Sequence, residues 1–291
     1  MNTVLKVLFF PFILIPQSVA LQFGKLLGLM FYKIDKRHRL EIIERMNGSI
    51  KLRGVENIEE MCKFFYLNFG LFIIELLRMP FITRRKIKKM VSYGQLEDIR
   101  ELLAEGNGII AVTGHFSNWE YAGMAVSAYD LEASAVAKPL KNKIFNSFLN
   151  KTRSQTGEKI IDQKSSYKGM LKAIKNNEIV ILLLDFDAAP DRGGIFIPFF
   201  DKETATLPTA AILQQKTKAP IVFIRIKREP DLRHFHFEID QILRYDESFN
   251  NEEGVVKITT KMNESYERFI LDSPEQWLWL QRRWRFRNNG N

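Results

Sequence analysis

The chain has 291 residues, of which 46% are hydrophobic, and its formal net charge at pH 7 is +9. This length and composition suit one large globular domain with an appendage and exclude a disordered chain. The single cysteine, Cys62, excludes an internal disulfide. The positive charge favours anionic partners, which include nucleic acid, an anionic membrane surface and an acidic protein.

Residues 4–32 are dominated by Leu, Phe, Ile and Val. A basic cluster follows them: Lys33, Lys36, Arg37, His38 and Arg39. The pattern predicts a hydrophobic membrane-anchor helix, although its uninterrupted apolar stretch is shorter than the roughly 20 residues of a spanning helix, so a tilted span and an interfacial helix both fit. Positive charge after the anchor predicts that the rest of the chain is cytoplasmic. A cleaved signal peptide and a buried core helix are the alternatives.

The chain is therefore divided into an anchor with its basic flank, 1–39, and a main domain, 40–291. Helices are predicted over 58–79, 96–103, 119–127, 143–156, 166–175 and 208–216. Strands are predicted over 108–113, 133–137, 159–161, 179–184, 220–226 and 234–243. This alternation predicts an α/β fold with a largely parallel central sheet flanked by helices. Such folds keep their sites at the carboxyl ends of the strands.

The hexapeptide His-Phe-Ser-Asn-Trp-Glu begins at His115, directly after an apolar run that ends in Thr-Gly. The run predicts a buried strand, and Ser117 or Asn118 can cap the helix that follows. With His115 in the turn and Glu120 in the first helical turn, the two side chains can meet. A carboxylate that holds a histidine in one tautomer makes a general base. The alternative is a buried histidine with a structural role.

Asp185 and Asp187 follow another buried strand and lie at the same predicted edge. They could bind a metal together with His234 and His236, which alternate onto one strand face. Surface histidines are ordinary on an amphipathic strand, so no metal site is expected. The two aspartates are instead expected to shape the entrance of the site or to pair with Arg192.

A set of residues with ordered spacing extends from the anchor to the end of the chain. Its members are His115, Glu120, Asp185, Asp187, Arg192, Gly194, Phe196, Pro198, Phe199, Phe200, Thr206, residues 274–277, Arg282 and Arg283. In this set the chain resembles the late acyltransferases of lipid A biosynthesis, the lauroyl and myristoyl transferases, which belong to a wider glycerophospholipid acyltransferase group. The resemblance implies a catalytic His-x4-Glu motif and an α/β core on the cytoplasmic face of the bacterial inner membrane. It also implies transfer of an acyl chain from acyl carrier protein to a hydroxyl of a lipid A precursor.

Within this resemblance, His115 is the expected general base and Glu120 its orienting partner. The expected substrate-binding residues are Lys138, Asn142, Arg153, Asp185, Asp187, Arg192, Gly194, Phe196, Phe199 and Thr206. No dissociable cofactor is expected, because the donor carries its own phosphopantetheine arm. No covalent acyl-enzyme is required either, and the chain lacks the Gly-x-Ser-x-Gly elbow of a serine nucleophile.

The segment 191–200 combines glycines with aromatic side chains. It is expected either to hold phosphate or phosphopantetheine through Arg192 and line the acyl chain with Phe196, Phe199 and Phe200, or to form a tight turn into a hydrophobic edge.

Lys138 stands where the family commonly has an arginine before proline. Lysine keeps the charge but loses the bidentate fork, and Arg153 could supply a guanidinium instead. Basic clusters at 84–89 and 282–287 fit a lipid interface or a solvated face, and Arg282 and Arg283 are expected to meet an acidic carrier protein or lipid phosphates. Nucleic-acid binding would explain neither the anchor nor His115. Acylation of another lipid and a non-enzymatic membrane-surface protein stay open as alternatives.

Overall fold

The computed structural model describes residues 15–137, 141–162 and 166–284. Its α-helices are α1 (Gln17–Ile34), α2 (Lys36–Asn47), α3 (Ile58–Arg78), α4 (Arg84–Met90), α5 (Leu96–Ala104), α6 (Trp119–Ala128), α7 (Lys143–Ser154), α8 (Ser166–Lys175), α9 (Thr209–Thr217) and α10 (Glu252–Asp272). Its strands are β1 (Val91–Tyr93), β2 (Ile109–Thr113), β3 (Ala133–Ala137), β4 (Lys159–Asp162), β5 (Ile179–Leu183), β6 (Ile195–Phe199), β7 (Lys202–Thr206), β8 (Ile221–Arg228) and β9 (Phe235–Leu243). Every predicted helix and strand of the main domain is present, with small shifts at the ends.

Seven strands form the central sheet in the order β1-β9-β8-β2-β5-β3-β4. Strand β2 pairs in parallel with both β5 and β8, and the only antiparallel pairing described in this sheet joins β8 to β9. Strands β6 and β7 form a separate antiparallel hairpin. The predicted fold class, an α/β domain with a largely parallel sheet flanked by helices, is confirmed.

The sheet separates two hydrophobic cores. Along β2, Ile110 and Val112 point into one core, and Ile109 and Ala111 point into the other. Successive side chains of a strand alternate between faces, so a strand covered on both faces is apolar throughout. The unbroken apolar runs that predicted β2 and β5 have this origin.

Helices α1 and α3 pack against each other through glycines. A Cβ at Gly70 would lie 2.2 Å from the carbonyl oxygen of Gly24, and a Cβ at Gly28 would lie 2.3 Å from that of Tyr66. Both helices carry apolar side chains around these glycines, so the missing Cβ atoms let the two backbones approach closely. The described part of the predicted anchor therefore packs on the main domain.

The membrane anchor over 4–32 stays a prediction. Its residues 4–14 lie outside the described part of the chain, and most of the remainder forms α1. Among the described residues, the helix that has the length and apolar composition to cross a bilayer is Ile58–Phe81, and nearly half of its apolar window is buried inside the protein. A core helix of a soluble protein passes the same test.

Helices α2, α4 and α10, strand β1 and the β6–β7 hairpin were not among the predicted elements. The first half of α10 contains Val255, Val256, Ile258, Thr259 and Thr260. β-Branched residues lower helix propensity, so local sequence is ambiguous there. Packing decides the outcome, because α10 buries one face against the sheet and against β6.

We expect Gly70→Ala to destabilise the protein by about 1–3 kcal/mol, the usual cost of overpacking. In an open helix the same change would stabilise by roughly 0.5–1 kcal/mol. Gly169→Ala is the matched control, because the nearest neighbours of the new Cβ would be side-chain atoms of Ile161, with Cγ2 at 2.6 Å, and not backbone atoms. The measurement is the midpoint of thermal unfolding for both variants. Equal midpoints would refute a backbone contact at Gly70.

Candidate active site

His115 lies in the turn after β2, at the carboxyl edge of the sheet, as predicted. Strand β5 ends beside it, because Thr113 pairs with Leu183 in parallel register. This register brings Asp185, just beyond Leu183, next to His115. Gly114 permits the approach, since a Cβ there would lie 2.9 Å from Asp185 Oδ2.

Asp185 is the hydrogen-bond partner of the His115 ring. Its Oδ1 lies 2.7 Å from His115 Nδ1, and its Oδ2 accepts from the backbone N–H of His115, from Trp277 Nε1 and from Gln281 Nε2 at 2.8–2.9 Å. Complete burial raises the pKa of Asp185, but the charge of His115 and these hydrogen bonds outweigh it and lower the pKa to about 2. An ionised carboxylate only accepts, so the ring proton resides on Nδ1 and Nε2 is a base.

The expectation that Glu120 orients the His115 ring is wrong. Its two oxygens accept from Arg153 Nε at 2.7 Å and Nη2 at 2.6 Å. Arg153 comes from the last turn of α7, a helix that packs beside α6. Asp185 already occupies Nδ1, and a bidentate guanidinium is a stronger partner for a carboxylate than a neutral imidazole. Glu120 and Arg153 thus form a second pair beside the first.

Glu158 is buried behind this second pair. Burial and the charge of Glu120 raise the pKa of Glu158 to about 8, although Arg153 opposes them. Its carboxyl group lies against the backbone of α6, since a Cβ at Gly123 would come 2.3 Å from Glu158 Oε1. Glu158 is therefore largely protonated at neutral pH, and the cluster of Glu120, Arg153 and Glu158 has little net charge.

A small cavity of about 20 Å³ opens beside His115. Its wall on the side of α3 consists of Phe65, Asn68, Phe69 and Phe72. The His115 ring contacts the rings of Trp119 and Phe186, with centroids 4.9 and 4.3 Å away. Among the described residues no hydrogen bond to Nε2 occurs, and the His115 side chain is 11% exposed. The His115 side chain thus lines a small cavity and is largely shielded from bulk water.

The segment 191–200 forms the predicted tight turn into a hydrophobic edge, and its role in holding phosphate or phosphopantetheine through Arg192 stays a prediction. Arg192 is exposed, and Gly194 makes a close approach, since a Cβ there would lie 2.0 Å from the carbonyl oxygen of Ala188. Phe196 is half-buried. Phe199 is completely buried against Trp277 and other aromatic side chains, so it is a core residue and cannot line an acyl chain from this position. The tight turn into a hydrophobic edge describes this half of the segment.

The remaining predicted substrate-binding residues are Thr206, Asn142, Asp187 and Lys138. Thr206 is completely buried, and its hydroxyl accepts from Arg283 Nη2 at 2.8 Å. Contrary to the expectation, it has no exposed surface through which to contact a substrate. Asn142 caps α7, where its Oδ1 accepts from two backbone N–H groups at 3.0 and 3.1 Å. Asp187 is half-buried. Lys138 lies outside the described residues.

Arg283 is buried, so the expectation that it meets a carrier protein or lipid phosphates is wrong. Its guanidinium donates to the carbonyl oxygens of Phe186 and Ala205 at 3.2 and 3.1 Å and to Asn263 Oδ1 at 2.8 Å. Burial lowers the pKa of Arg283 to about 10, while the charge of Asp185 opposes this shift. Arg283 therefore holds the loop that carries Phe186 against His115.

Trp277 and Gln281 are site residues that sequence reasoning missed. Both donate to Asp185, from a segment far along the chain. The sequence contains the Pro-Glu-Gln-Trp motif at 274–277, but nothing local indicates that the indole N–H contacts a carboxylate.

The alternative metal site is not assembled. Among the described residues no group of three or more His, Cys, Asp or Glu side chains could hold a metal ion. His234 Nδ1 contacts Asp231, and His236 Nδ1 lies 2.8 Å from Ser92 Oγ.

The raised pKa of Glu158 predicts a pH-dependent stability. Because its pKa is about 8 in the folded protein and ordinarily 4.5, the folded state retains a proton that the unfolded chain loses, and stability falls as pH rises through this interval. Glu158→Gln removes the titration, so we expect a gain over wild type of about 1–3 kcal/mol at pH 8 and little gain at pH 5. Unfolding midpoints at both pH values provide the measurement. A gain of the same size at pH 5 would contradict the assignment.

Comparison with known proteins gives consistent matches over the chain. The chain is 27% identical to the lipid A biosynthesis lauroyltransferase of Escherichia coli (strain K12), over 95% of its own length and 88% of the relative. It is 22% identical to the lipid A biosynthesis palmitoleoyltransferase of the same organism, again over 95% and 88%. It is also 22% identical to the lipid A biosynthesis myristoyltransferase, over 67% of this chain and 59% of the relative.

A protein-family model described as bacterial lipid A biosynthesis acyltransferase matches residues 4–286. The match covers the segment predicted as an anchor, the turn with His115 and the C-terminal arginines, and it confirms the family resemblance. The chain belongs to the bacterial lipid A biosynthesis acyltransferase family.

Proposed function

We propose that this protein transfers a fatty acyl chain from acyl carrier protein to a hydroxyl of a lipid A precursor at the cytoplasmic face of the bacterial inner membrane, with His115 as general base. The observation that carries the proposal is the buried pair of His115 and Asp185, which occupies Nδ1 of a histidine that lines a cavity with an aromatic wall. Membership of the family supports the acyl transfer and the lipid A acceptor.

The chemistry requires a base at this place. A sugar or hydroxyacyl hydroxyl has a pKa far above neutrality, so its proton must leave as its oxygen attacks the thioester carbonyl. Nε2 of His115 takes that proton, and the ionised Asp185 stabilises the imidazolium that results. The tetrahedral intermediate then expels the pantetheine sulfur, and the imidazolium returns the proton to it. The ester and the free thiol are the products, and no acyl-enzyme forms.

Glu120 and Arg153 enter this proposal as a unit. The bidentate contact with Glu120 orients one edge of the Arg153 guanidinium, Nε and Nη2, and Nη1 lies 3.4 Å from Asn150 Oδ1. Glu120 thus aims Arg153, which we assign to the acceptor. Arg192 is the second candidate for a substrate phosphate, because it is exposed and no ion pair involves it in the described part of the chain.

The acyl chain is assigned to the wall formed by α3. Phe65, Phe69 and Phe72 line the cavity beside His115 and stack along one another. Phe72 also lies 4.2 Å from the ring of Trp119, which follows the catalytic turn. These side chains replace Phe199 as the proposed apolar surface for the donor, because they reach the cavity and Phe199 does not.

Membrane association is supported by an exposed apolar face of α1. The face consists of Val19, Phe23, Leu26, Met30 and Ile34, which recur at helical spacing on the surface. Basic residues follow at once from Lys33 to Arg39, where they can meet anionic headgroups. An interfacial helix places the site within reach of an amphiphilic lipid acceptor, and the positive flank favours the cytoplasmic side.

We expect His115→Ala and Asp185→Asn each to reduce transfer by about 10²–10⁴-fold, because one removes the base and the other its tautomer and charge partner. The assay uses purified protein, radiolabelled acyl-carrier-protein donor and a panel of acceptors that includes a lipid A precursor, a lysophospholipid and an aminolipid. His236→Ala is the control, since it removes an imidazole on β9, which strand β8 separates from β2. Full activity in both site variants would refute the proposal, and labelling of another lipid alone would change the acceptor.

The apolar face of α1 predicts a second result. Replacing Phe23 and Leu26, which are 51% and 61% exposed, by serine removes apolar area that a bilayer would bury, and we expect vesicle affinity to fall by about tenfold or more. The probe is sedimentation with vesicles of phosphatidylethanolamine and phosphatidylglycerol. Ile212→Ser, at a site 41% exposed on α9, is the matched control. Unchanged binding of the double variant would exclude this face as the contact.

A further inference from the structure

A closed circuit of hydrogen bonds surrounds the turn that carries His115. It runs from Asn118 to Glu75, then to Arg228, to Gln276 and back to Ser117, which precedes Asn118 in the sequence. Asn118, Glu75 and Arg228 are all buried. None of the three was singled out by sequence reasoning as a site residue, and the chemistry proposed above does not use them.

Asn118 links the catalytic turn to helix α3. Its Oδ1 accepts from the backbone N–H of Tyr121 at 3.0 Å and caps α6, and its Nδ2 donates to Glu75 Oε2 at 2.8 Å. Both ends of the amide are thereby used, so its orientation is defined. The side chain has no exposed surface.

Glu75 is held in turn by Arg228, at the end of β8. The guanidinium engages both carboxylate oxygens, with Nη2 at 2.8 Å from Oε2, and it also donates to the carbonyl oxygen of Leu232 at 3.1 Å. It stacks 4.6 Å from the ring centroid of Phe235. Removal of one partner from such a buried pair would leave an uncompensated charge, so the pair acts as one unit.

Gln276 closes the circuit. Its side chain accepts from the backbone N–H of Arg228 at 2.7 Å and donates to the carbonyl oxygen of Arg228 at 3.1 Å. Its own carbonyl oxygen accepts from the backbone N–H of Ser117 at 2.6 Å. Ser117 has a φ of +48°, a left-handed conformation that is unfavourable for a serine and persists only where surrounding contacts impose it. The circuit imposes it between His115 and Trp119.

Helix α3 connects this circuit to the cavity. Glu75 lies one turn after Phe72, and Phe72 and Phe69 form the wall opposite the His115 ring. The position of α3 relative to the catalytic turn is therefore defined by the contact of Glu75 with Asn118 and Arg228. A shift of about 1 Å between a base and a bound reactant can cost about 100-fold in rate.

We propose that Glu75 and Arg228 are positioning residues of the transfer reaction: their buried ion pair, through Asn118, sets the distance between the aromatic wall of α3 and the His115 base. This inference rests on the proposed function, because it requires that His115 is the base and that the wall holds the donor. Neither residue contacts the reacting atoms.

The test compares three variants of the full-length protein: Arg228→Met, the double variant Glu75→Leu/Arg228→Met, and Arg225→Met. Arg225 is the matched control, since it lies on the same strand, is buried, and stacks on Phe269 while pairing with Glu238 and Asp272. Unfolding midpoints, kcat and KM are measured at a temperature at which each variant is folded. A buried pair can be replaced by apolar side chains with little loss of stability, so the double variant separates stability from positioning.

We expect Arg228→Met to lower both the midpoint and kcat. In the double variant the midpoint returns toward that of the wild type, while kcat stays about 100-fold low with KM unchanged, because Asn118 has lost its acceptor. Arg225→Met lowers the midpoint but keeps the wild-type kcat. A double variant with wild-type kcat would overturn the inference, as would an Arg225→Met variant with the same loss of kcat.

Glu75→Gln decides the matter if the double variant does not fold. It keeps the shape and an acceptor for Asn118 but removes the charge that orients Arg228, and we expect kcat to fall about tenfold or more at unchanged KM. A wild-type kcat in this variant refutes the positioning role. Failure of the proposed function is recognised separately. An active His115→Ala variant would refute the role of His115 as the base. An inactive His115→Ala variant beside a fully active Glu75→Gln variant would refute only the positioning role of Glu75 and Arg228.

Discussion

The hydrogen bond between His115 and Asp185 is the interaction on which the site depends. A carboxyl group with no exposed surface would ordinarily take up a proton. A protonated Asp185 could no longer orient the imidazole by accepting the hydrogen bond of Nδ1. Four donors prevent this, and they come from the turn after β2 and from the C-terminal segment with Trp277 and Gln281. The charge state of the dyad is therefore a result of how distant parts of the chain pack.

The C-terminal segment has a larger part in the site than its position suggests. Trp277 forms an isolated bridge with Phe116, and the backbone N–H of Leu278 donates to the carbonyl oxygen of His115 at 3.0 Å. Arg283, farther on, holds the Phe186 loop. The segment thus covers the carboxyl edge of the sheet beside His115, and Trp277, Gln281 and Arg283 each contribute contacts to the site.

Helix α3 connects the exposed apolar face of the protein with the chemistry. One side of it packs on α1 through glycine contacts, another carries the aromatic wall of the cavity, and Glu75 bonds the catalytic turn. The proposed reaction must bring the acyl chain of the donor and an amphiphilic lipid acceptor to one base. In the proposed arrangement this helix is where the two environments meet.

Local sequence patterns determined the α/β architecture, most element boundaries and the place of His115, because strand alternation, apolar runs and turn residues depend on neighbours along the chain. They did not determine the partner of His115. Glu120 was nearer in sequence, yet Asp185 occupies the ring nitrogen because β2 and β5 pair in register, a choice made between strands 70 residues apart. The burial of Phe199, Thr206 and Arg283 was likewise decided by tertiary packing. Side chains that look like surface contacts in a linear motif become core residues when a distant segment covers them.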